Sequence, residues 1–127
     1  MDADKKRALI ERFLDAYNRF DIEGMIEVLH PDIEFRNITG GNVDATASGL
    51  KEFRALAEQS AKLFESRKQA VITLDPSSEG VSVEIEFTGV LAMDIPNGPK
   101  AGETLELQGH SEYVFREEKI YQLTAYS

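Results

Sequence analysis

Residues 13–35 read FLDAYNRFDIEGMIEVLHPDIEF, and the order of signals in them decides the fold class. Phe13, Leu14 and Tyr17 continue a stripe begun by Leu9 and Ile10 at the spacing of one helix face. The predicted first helix runs from about Asp4 to Arg19, with Lys5, Arg7, Glu11, Arg12 and Asp15 mostly off the stripe. Asp21 is a candidate N-cap for a second, short helix, because a carboxylate there accepts an amide hydrogen bond from the first turn. Glu23 suits the positive end of that helix's dipole, and Met25, Ile26, Val28 and Leu29 supply its buried side. Pro31 is expected to end the helix, since the residue before a proline avoids helical dihedrals. A strand is expected to open after it, with Ile33, Phe35 and Asn37 on one face and Glu34 and Arg36 on the other. Helix, capped restart and strand together predict a small cone-shaped α+β domain, its sheet wrapped around a helix and a pocket left open at one end.

Outward from this segment, Ile38 to Ser48 is rich in Gly, Thr, Asn and Ser and reads as a loop. Ser48 or Gly49 is the expected cap of a third helix, from about Leu50 to Phe64, with Leu50, Phe53, Leu56, Ala57, Leu63 and Phe64 on its buried side. Strands are expected over Gln69 to Leu74 and Val81 to about Met93, joined by a turn at Asp75-Pro76-Ser77-Ser78-Glu79-Gly80. A loop punctuated by Pro96, Gly98, Pro99 and Gly102 covers Asp94 to Glu103. In the next strand, Leu105, Leu107, Gly109, Ser111, Tyr113 and Phe115 share one face, and Glu106, Gln108, His110, Glu112 and Val114 the other. A tight turn at Glu117-Glu118 leads to a last strand, Ile120 to Tyr126. Helices followed by an antiparallel meander are an α+β pattern. A ferredoxin-like barrel is the weaker alternative, because such folds begin with a strand.

With 127 residues, 42% of them hydrophobic, residues 1–127 are expected to form one globular domain with one core. A net charge of −9 leaves no basic face for nucleic acid and disfavours anionic membranes. The absence of cysteine removes disulfides, a thiol nucleophile and thiolate metal sites together. No apolar run reaches signal-peptide length or the roughly 20 residues that span a bilayer. A cytoplasmic location, with neither nucleic acid nor membrane as partner, is therefore expected.

Three pieces of the chain resemble the nuclear transport factor 2-like superfamily, in its SnoaL-like or ketosteroid-isomerase-like branch. They are residues 13–35, Gly49 with the helix from Leu50, and residues 87–127, FTGVLAMDIPNGPKAGETLELQGHSEYVFREEKIYQLTAYS. The likeness covers nearly the whole chain and consists mostly of hydrophobic pattern and punctuation, so it speaks to fold more than to activity. It implies a cystatin-like cone (an α+β roll), with N-terminal helices packed in a curved, mostly antiparallel sheet and a largely apolar cavity at the open end. It also implies a homodimer paired through the outer sheet face. Members of the superfamily include polyketide cyclases, steroid isomerases, epoxide hydrolases, dehydratases and binding or assembly modules.

The steroid isomerases of that family use a general-base Asp on the first strand, a Tyr on the first helix and a protonated Asp on a late strand. By resemblance those positions fall on Asn37, Phe13 and Ser111. Asn37 takes no proton at neutral pH, Phe13 has no hydroxyl and Ser111 is a weaker donor, so that mechanism is not expected. The candidate ligand-binding residues are Phe13, Tyr17, Phe35, Asn37, Phe53, Phe87, Leu107, Ser111, Tyr113, Leu123 and Ala125, with a small hydrophobic molecule as partner. Phe20 and Leu91 belong to the same core or lining set. Asn37 either orients a ligand or satisfies backbone at a strand end. Ser111 is either a pocket hydroxyl or a self-satisfied strand serine, and the Tyr17 hydroxyl reaches either the pocket or the surface.

Asp94, at the start of the long loop, and His110, which titrates near neutrality, are the fallback acid–base candidates. Strand alternation places His110 on the outer face beside Glu106, Gln108 and Glu112, and Asp94 also reads as a solvated turn residue. His30 reads as a helix-end residue whose side chain helps the last carbonyls. No histidine and carboxylate share a metal-ligand spacing, so no metal and no cofactor are expected. The expected function is binding of a small hydrophobic ligand, accompanied, if the domain is an enzyme, by isomerase-, cyclase- or dehydratase-type proton transfer without a metal. The alternative is a non-catalytic dimeric binding or assembly module.

Overall fold

In a computed structural model, which describes residues 1–77 and 80–127, the chain runs α1 (Ala3–Asn18), α2 (Ile22–Glu27), β1 (Leu29–Thr39), β2 (Asn42–Ser48), α3 (Gly49–Ala61), β3 (Phe64–Pro76), β4 (Gly80–Leu91), β5 (Thr104–Arg116) and β6 (Lys119–Tyr126). The strands form one curved, unclosed sheet in the order β2-β1-β6-β5-β4-β3. Among the described residues only the β1–β6 pair is parallel. Two helix starts follow from side-chain caps: Asp2 accepts from the Lys5 N–H at 2.8 Å and Asp21 from the Gly24 N–H at 3.0 Å. At α3 the cap position is Ser48, but its hydroxyl donates to Glu34 at 2.7 Å instead of capping. Glu52 reaches back to the Ser48 N–H at 2.9 Å, half of a capping box.

The first strand begins before Pro31 and not after it. The Val28 carbonyl at the end of α2 accepts from the Ile120 N–H at 2.9 Å, so the chain joins β6 as soon as the helix stops. Pro31 lies where the register shifts between the Leu29–Ile120 and Glu34–Gln122 pairs, a place that needs no N–H. His30 is accordingly a buried strand residue and not a helix-end one. Its Nδ1 accepts from the Asp32 N–H at 3.0 Å, its Nε2 lies 3.2 Å from Glu117, and its ring meets Tyr121 edge-on at 5.4 Å.

The segment read as a loop from Ile38 to Ser48 is largely a hairpin. Gly40 and Gly41 take φ values of 57° and 86°, which a two-residue turn matching the sheet twist requires. The polar composition of β2 is that of an edge strand, not of a loop. Asn37 pairs with Ala45 and Ile38 with Val43, so Asp44 is the extra residue of a bulge. Its carboxylate accepts from Asn37 Nδ2 at 2.9 Å and from the Thr39 hydroxyl at 2.7 Å. Phe64, expected at the end of α3, instead opens β3, which is longer at both ends than Gln69–Leu74. The turn expected over residues 75–80 lies partly outside the described residues, at Ser78 and Glu79. The tight turn at Glu117–Glu118 has both residues at positive φ, 53° and 62°.

Ile10, Phe13 and Leu14 of α1 pack with Val28, Ile33, Val81, Val83, Tyr113, Ile120 and Leu123 in the main core. Each such side chain contributes roughly 1.5–3 kcal/mol on burial. The C-terminal end of α1 leans on edge strand β3, whereas α3 lies against β1 and β2 at the opposite edge. Asn18 and Gln69 make the first of these contacts specific: the Gln69 N–H donates to Asn18 Oδ1 at 2.8 Å, and Asn18 Nδ2 donates to the Gln69 carbonyl at 3.4 Å. Asn18→Ala is expected to lower the unfolding free energy by about 1–2 kcal/mol, read by urea denaturation. Asp21→Ala is expected to cost about 1 kcal/mol through the lost cap, with Asp21→Asn close to wild type.

Candidate functional site

Between the two edge-bound helices and the concave face of the sheet lies a cavity of about 300 Å³. Among the described residues every helix and every strand contributes to its wall. The helices bring Phe13, Tyr17, Met25, Phe53, Leu56, Ala57 and Ser60; the strands bring Phe35, Asn37, Ala45, Phe64, Arg67, Gln69, Phe87, Ser111, Tyr113, Leu123 and Ala125. The Phe53 ring ties the helices to the sheet, 6.3 Å from Phe13 and 5.8 Å from Phe35, and Phe13 meets Tyr113 edge-on at 6.4 Å.

All the candidate lining residues named from sequence stand on this wall except Leu107. That side chain is 50% exposed, although it shares a face with Ser111 and pairs across the strands with Phe87. Strand alternation reports which face a residue takes, not how far along the strand the covering helices reach. Phe20 and Leu91 do not line the cavity. Phe13, Asn37 and Ser111, the positions aligned with the steroid-isomerase machinery, all do. Asn37 and Ser111 flank Ala125 on adjacent strands. Neither reading of Asn37 fully describes it, because its amide serves the Asp44 carboxylate. Burial pushes the Tyr113 hydroxyl well above its ordinary range. Burial also raises Tyr17, against the pull of the Arg67 charge. Both phenols are therefore neutral donors near pH 7.

Sequence reading missed Arg67 and Gln69, the two longest polar side chains of the wall. They stand two residues apart on one face of β3, opposite Gly89 and Phe87. The strand period would have joined them had the strand been started at Phe64, but the polar run 65–68 shows no apolar alternation. Arg67 is only 5% exposed. Its Nε donates to the Tyr17 carbonyl at 2.9 Å, at the C-terminal end of α1. Its guanidinium carbon lies 3.7 Å from the Tyr17 ring centre and 4.5 Å from that of Phe20. Phe20 reaches it from a left-handed φ of 59°, which costs a bulky residue about 1–2 kcal/mol. Gly89 opposite must be small: a Cβ there would come within 2.8 Å of the Phe87 ring and 2.9 Å of Phe64.

The acid–base candidates stand apart from this wall. Asp94 is exposed and accepts from the Ala101 N–H at 2.8 Å, which braces its own loop. His110 faces out of the sheet between Glu84, at 2.6 Å from Nδ1, and Glu112, which contacts Nε2. Glu112 also accepts from the Ser82 hydroxyl at 2.6 Å, and the His110 ring lies 5.8 Å from Tyr126. The contact with Glu112, helped by Glu84 and opposed by partial burial, raises the His110 pKa. Among the described residues no three His, Asp or Glu side chains are gathered to hold a metal. No helix among them is long and apolar enough to cross a membrane.

Two outcomes are expected. The cationic form of His110 favours the fold, so its contribution is complete below the ordinary histidine pKa of about 6.5 and fades as pH rises through the raised folded value. Urea midpoints taken from pH 5.5 upward should show that loss in wild type and a flatter profile in His110→Gln. Gly89→Val should drive the Phe64 and Phe87 rings apart and lower stability by about 1–3 kcal/mol in thermal or urea melts.

A family model described as a SnoaL-like domain matches residues 10–123. Among solved structures, a candidate polyketide cyclase from Xanthomonas campestris pv. campestris superposes with a TM-score of 0.83 at 20% identity, over 98% of this chain and 90% of its own. TsrD from Streptomyces laurentii gives 0.80 at 21% identity, over 98% and 89%. TerC, co-crystallized with polyporic acid, gives 0.77 at 16% identity, over 95% and 89%. At such identities these likenesses show the fold alone. No curated protein sequence matches the chain. With the cone, its helices and the family match in agreement along most of its length, the chain belongs to the SnoaL-like domain family of the nuclear transport factor 2-like fold.

Proposed function

We propose that this domain binds a small, largely apolar molecule in the space between its helices and its sheet. The single observation that carries this reading is that the cone holds about 300 Å³ which its side chains leave unfilled, although large aromatic rings surround it. Protein interiors normally close such space to density, so a void of this size is a site that a ligand can fill.

The wall supports retention of a ligand more directly than proton-transfer catalysis. Among the described residues no Asp, Glu or His lines it, and its two phenols stay protonated near neutrality. The described lining therefore offers no side chain suited to take a carbon-bound proton. A second reading, cyclase-type chemistry, is favoured by the structural likeness to a candidate polyketide cyclase. In it, Tyr17 and Arg67 would act as electrophilic donors to a carbonyl oxygen.

N-phenyl-1-naphthylamine, whose fluorescence rises in apolar surroundings, tests the binding reading. Saturable binding at one molecule per chain is expected. Ala125→Phe, which projects a ring into the cavity, is expected to weaken it by about tenfold or more while circular dichroism stays unchanged. Wild-type binding that is absent, or that is unaffected in a folded Ala125→Phe chain, would remove the cavity as the site.

A further inference from the structure

We propose that the ligand of this cavity carries an oxyanion at one end, a carboxylate or an acidic enol or phenol oxygen, and that Arg67 is the residue that selects it. This rests on the cavity reading above and adds the chemical class of the molecule. The geometry around Arg67 is that of a donor held ready on one side and unanswered on the other. Nε is used up on the Tyr17 carbonyl at 2.9 Å, and two aromatic rings cover the guanidinium plane. Nη2 is fully buried and has no hydrogen-bond partner among the described residues. A buried donor on a charged group costs more when unpaired than almost any other polar atom.

Charge balance points the same way. Among the described residues no carboxylate lies within ion-pair distance of Arg67, whereas Arg12 and Arg54 each have one and Arg19 has two. The other ionisable groups of the wall are the two neutral phenols, so the cavity carries one uncompensated positive charge. Burial lowers the Arg67 pKa, but a guanidinium remains charged at neutral pH. This charge sits inside a chain of net charge −9, and no carboxylate lines the cavity among the described residues. A ligand oxyanion would supply both the missing acceptor and the missing charge. Gln69, next on the same face of β3, and the Tyr17 hydroxyl offer further donors on that side of the cavity. The aromatic wall formed by Phe13, Phe35 and Phe53 would take the apolar body.

The test compares 2-naphthoate with 2-naphthamide, a pair of nearly one shape that differs in charge, by isothermal titration calorimetry on the full chain at pH 7.5. Naphthoate is expected to bind about tenfold or more tighter. Arg67→Met should bring naphthoate down to the naphthamide level, Arg67→Lys should restore part of the gap, and Ala125→Phe should weaken both ligands. Equal affinity of the two ligands in wild type, or tighter naphthamide, would overturn the oxyanion inference and leave the cavity reading standing. Binding of neither would overturn both. Naphthoate binding that survives in a folded Ala125→Phe chain would place the anion outside the cavity and also defeat the inference. Where Arg67→Met fails to fold, the wild-type comparison alone decides.

Discussion

The clamp between the last turn of α1 and edge strand β3 is the constraint on which the cavity depends. A helix laid on a concave sheet gains most by sinking into it and expelling the space between. Here Asn18 exchanges hydrogen bonds with the Gln69 backbone, and Arg67 holds the Tyr17 carbonyl, so the end of α1 is fixed at the rim of the sheet. α3 rests on the other edge, against β1 and β2. With the end of α1 fixed at one edge and α3 at the other, the part of the sheet that carries Asn37, Ser111 and Ala125 borders open space bounded by rings. The clamp also answers an electrostatic need of the helix. No basic residue stands in the last turn of α1, and Arg67 brings a cation to the negative end of its dipole from another element.

The same side chain serves fold and site at once, which explains why its environment is so uneven. Burying a guanidinium costs several kcal/mol unless it is paired. One carbonyl and two aromatic faces offset part of that cost, and the strained Phe20 backbone is the conformation that brings the second face into place. Nη2 is buried without an acceptor among the described residues, in a side chain that lines the cavity. An uneven environment of this kind is what a recognition residue requires, since its last bond is reserved for something that arrives from outside.

The two faces of the sheet divide the charge. Glu84 and Glu112 surround His110 on the outer face, with Glu86 and Glu106 exposed on the same two strands and Glu34 exposed on β1. Among the described residues the inner face carries no carboxylate at the cavity and a single cation. Strand alternation makes such a division cheap, because neighbouring residues in one strand meet opposite surroundings. Thus Ser111 and Tyr113 are buried on the cavity side while His110 and Glu112, their immediate neighbours, form a hydrogen-bonded cluster on the other side.

How much was legible follows from whether each signal is local. The capping of α2 by Asp21, the inward faces of β4 and β5 and the tight turn at Glu117–Glu118 depend on residues a few positions apart, and all could be read directly. The β1–β2 hairpin was hidden because an edge strand exposed to water has the composition of a loop, and only the paired positive φ of Gly40 and Gly41 marks its turn. Leu107 was placed on the right face but beyond the reach of the helices. Arg67 was passed over because a charged residue in a polar run reads as solvated unless something distant covers it. The sequence by itself determined the element types, the faces and the family, since periodicity and caps are properties of neighbouring residues. Only the tertiary structure decided where along each strand the cavity begins and ends, and that an arginine is buried in its wall, because burial is set by elements that meet from far apart in the chain.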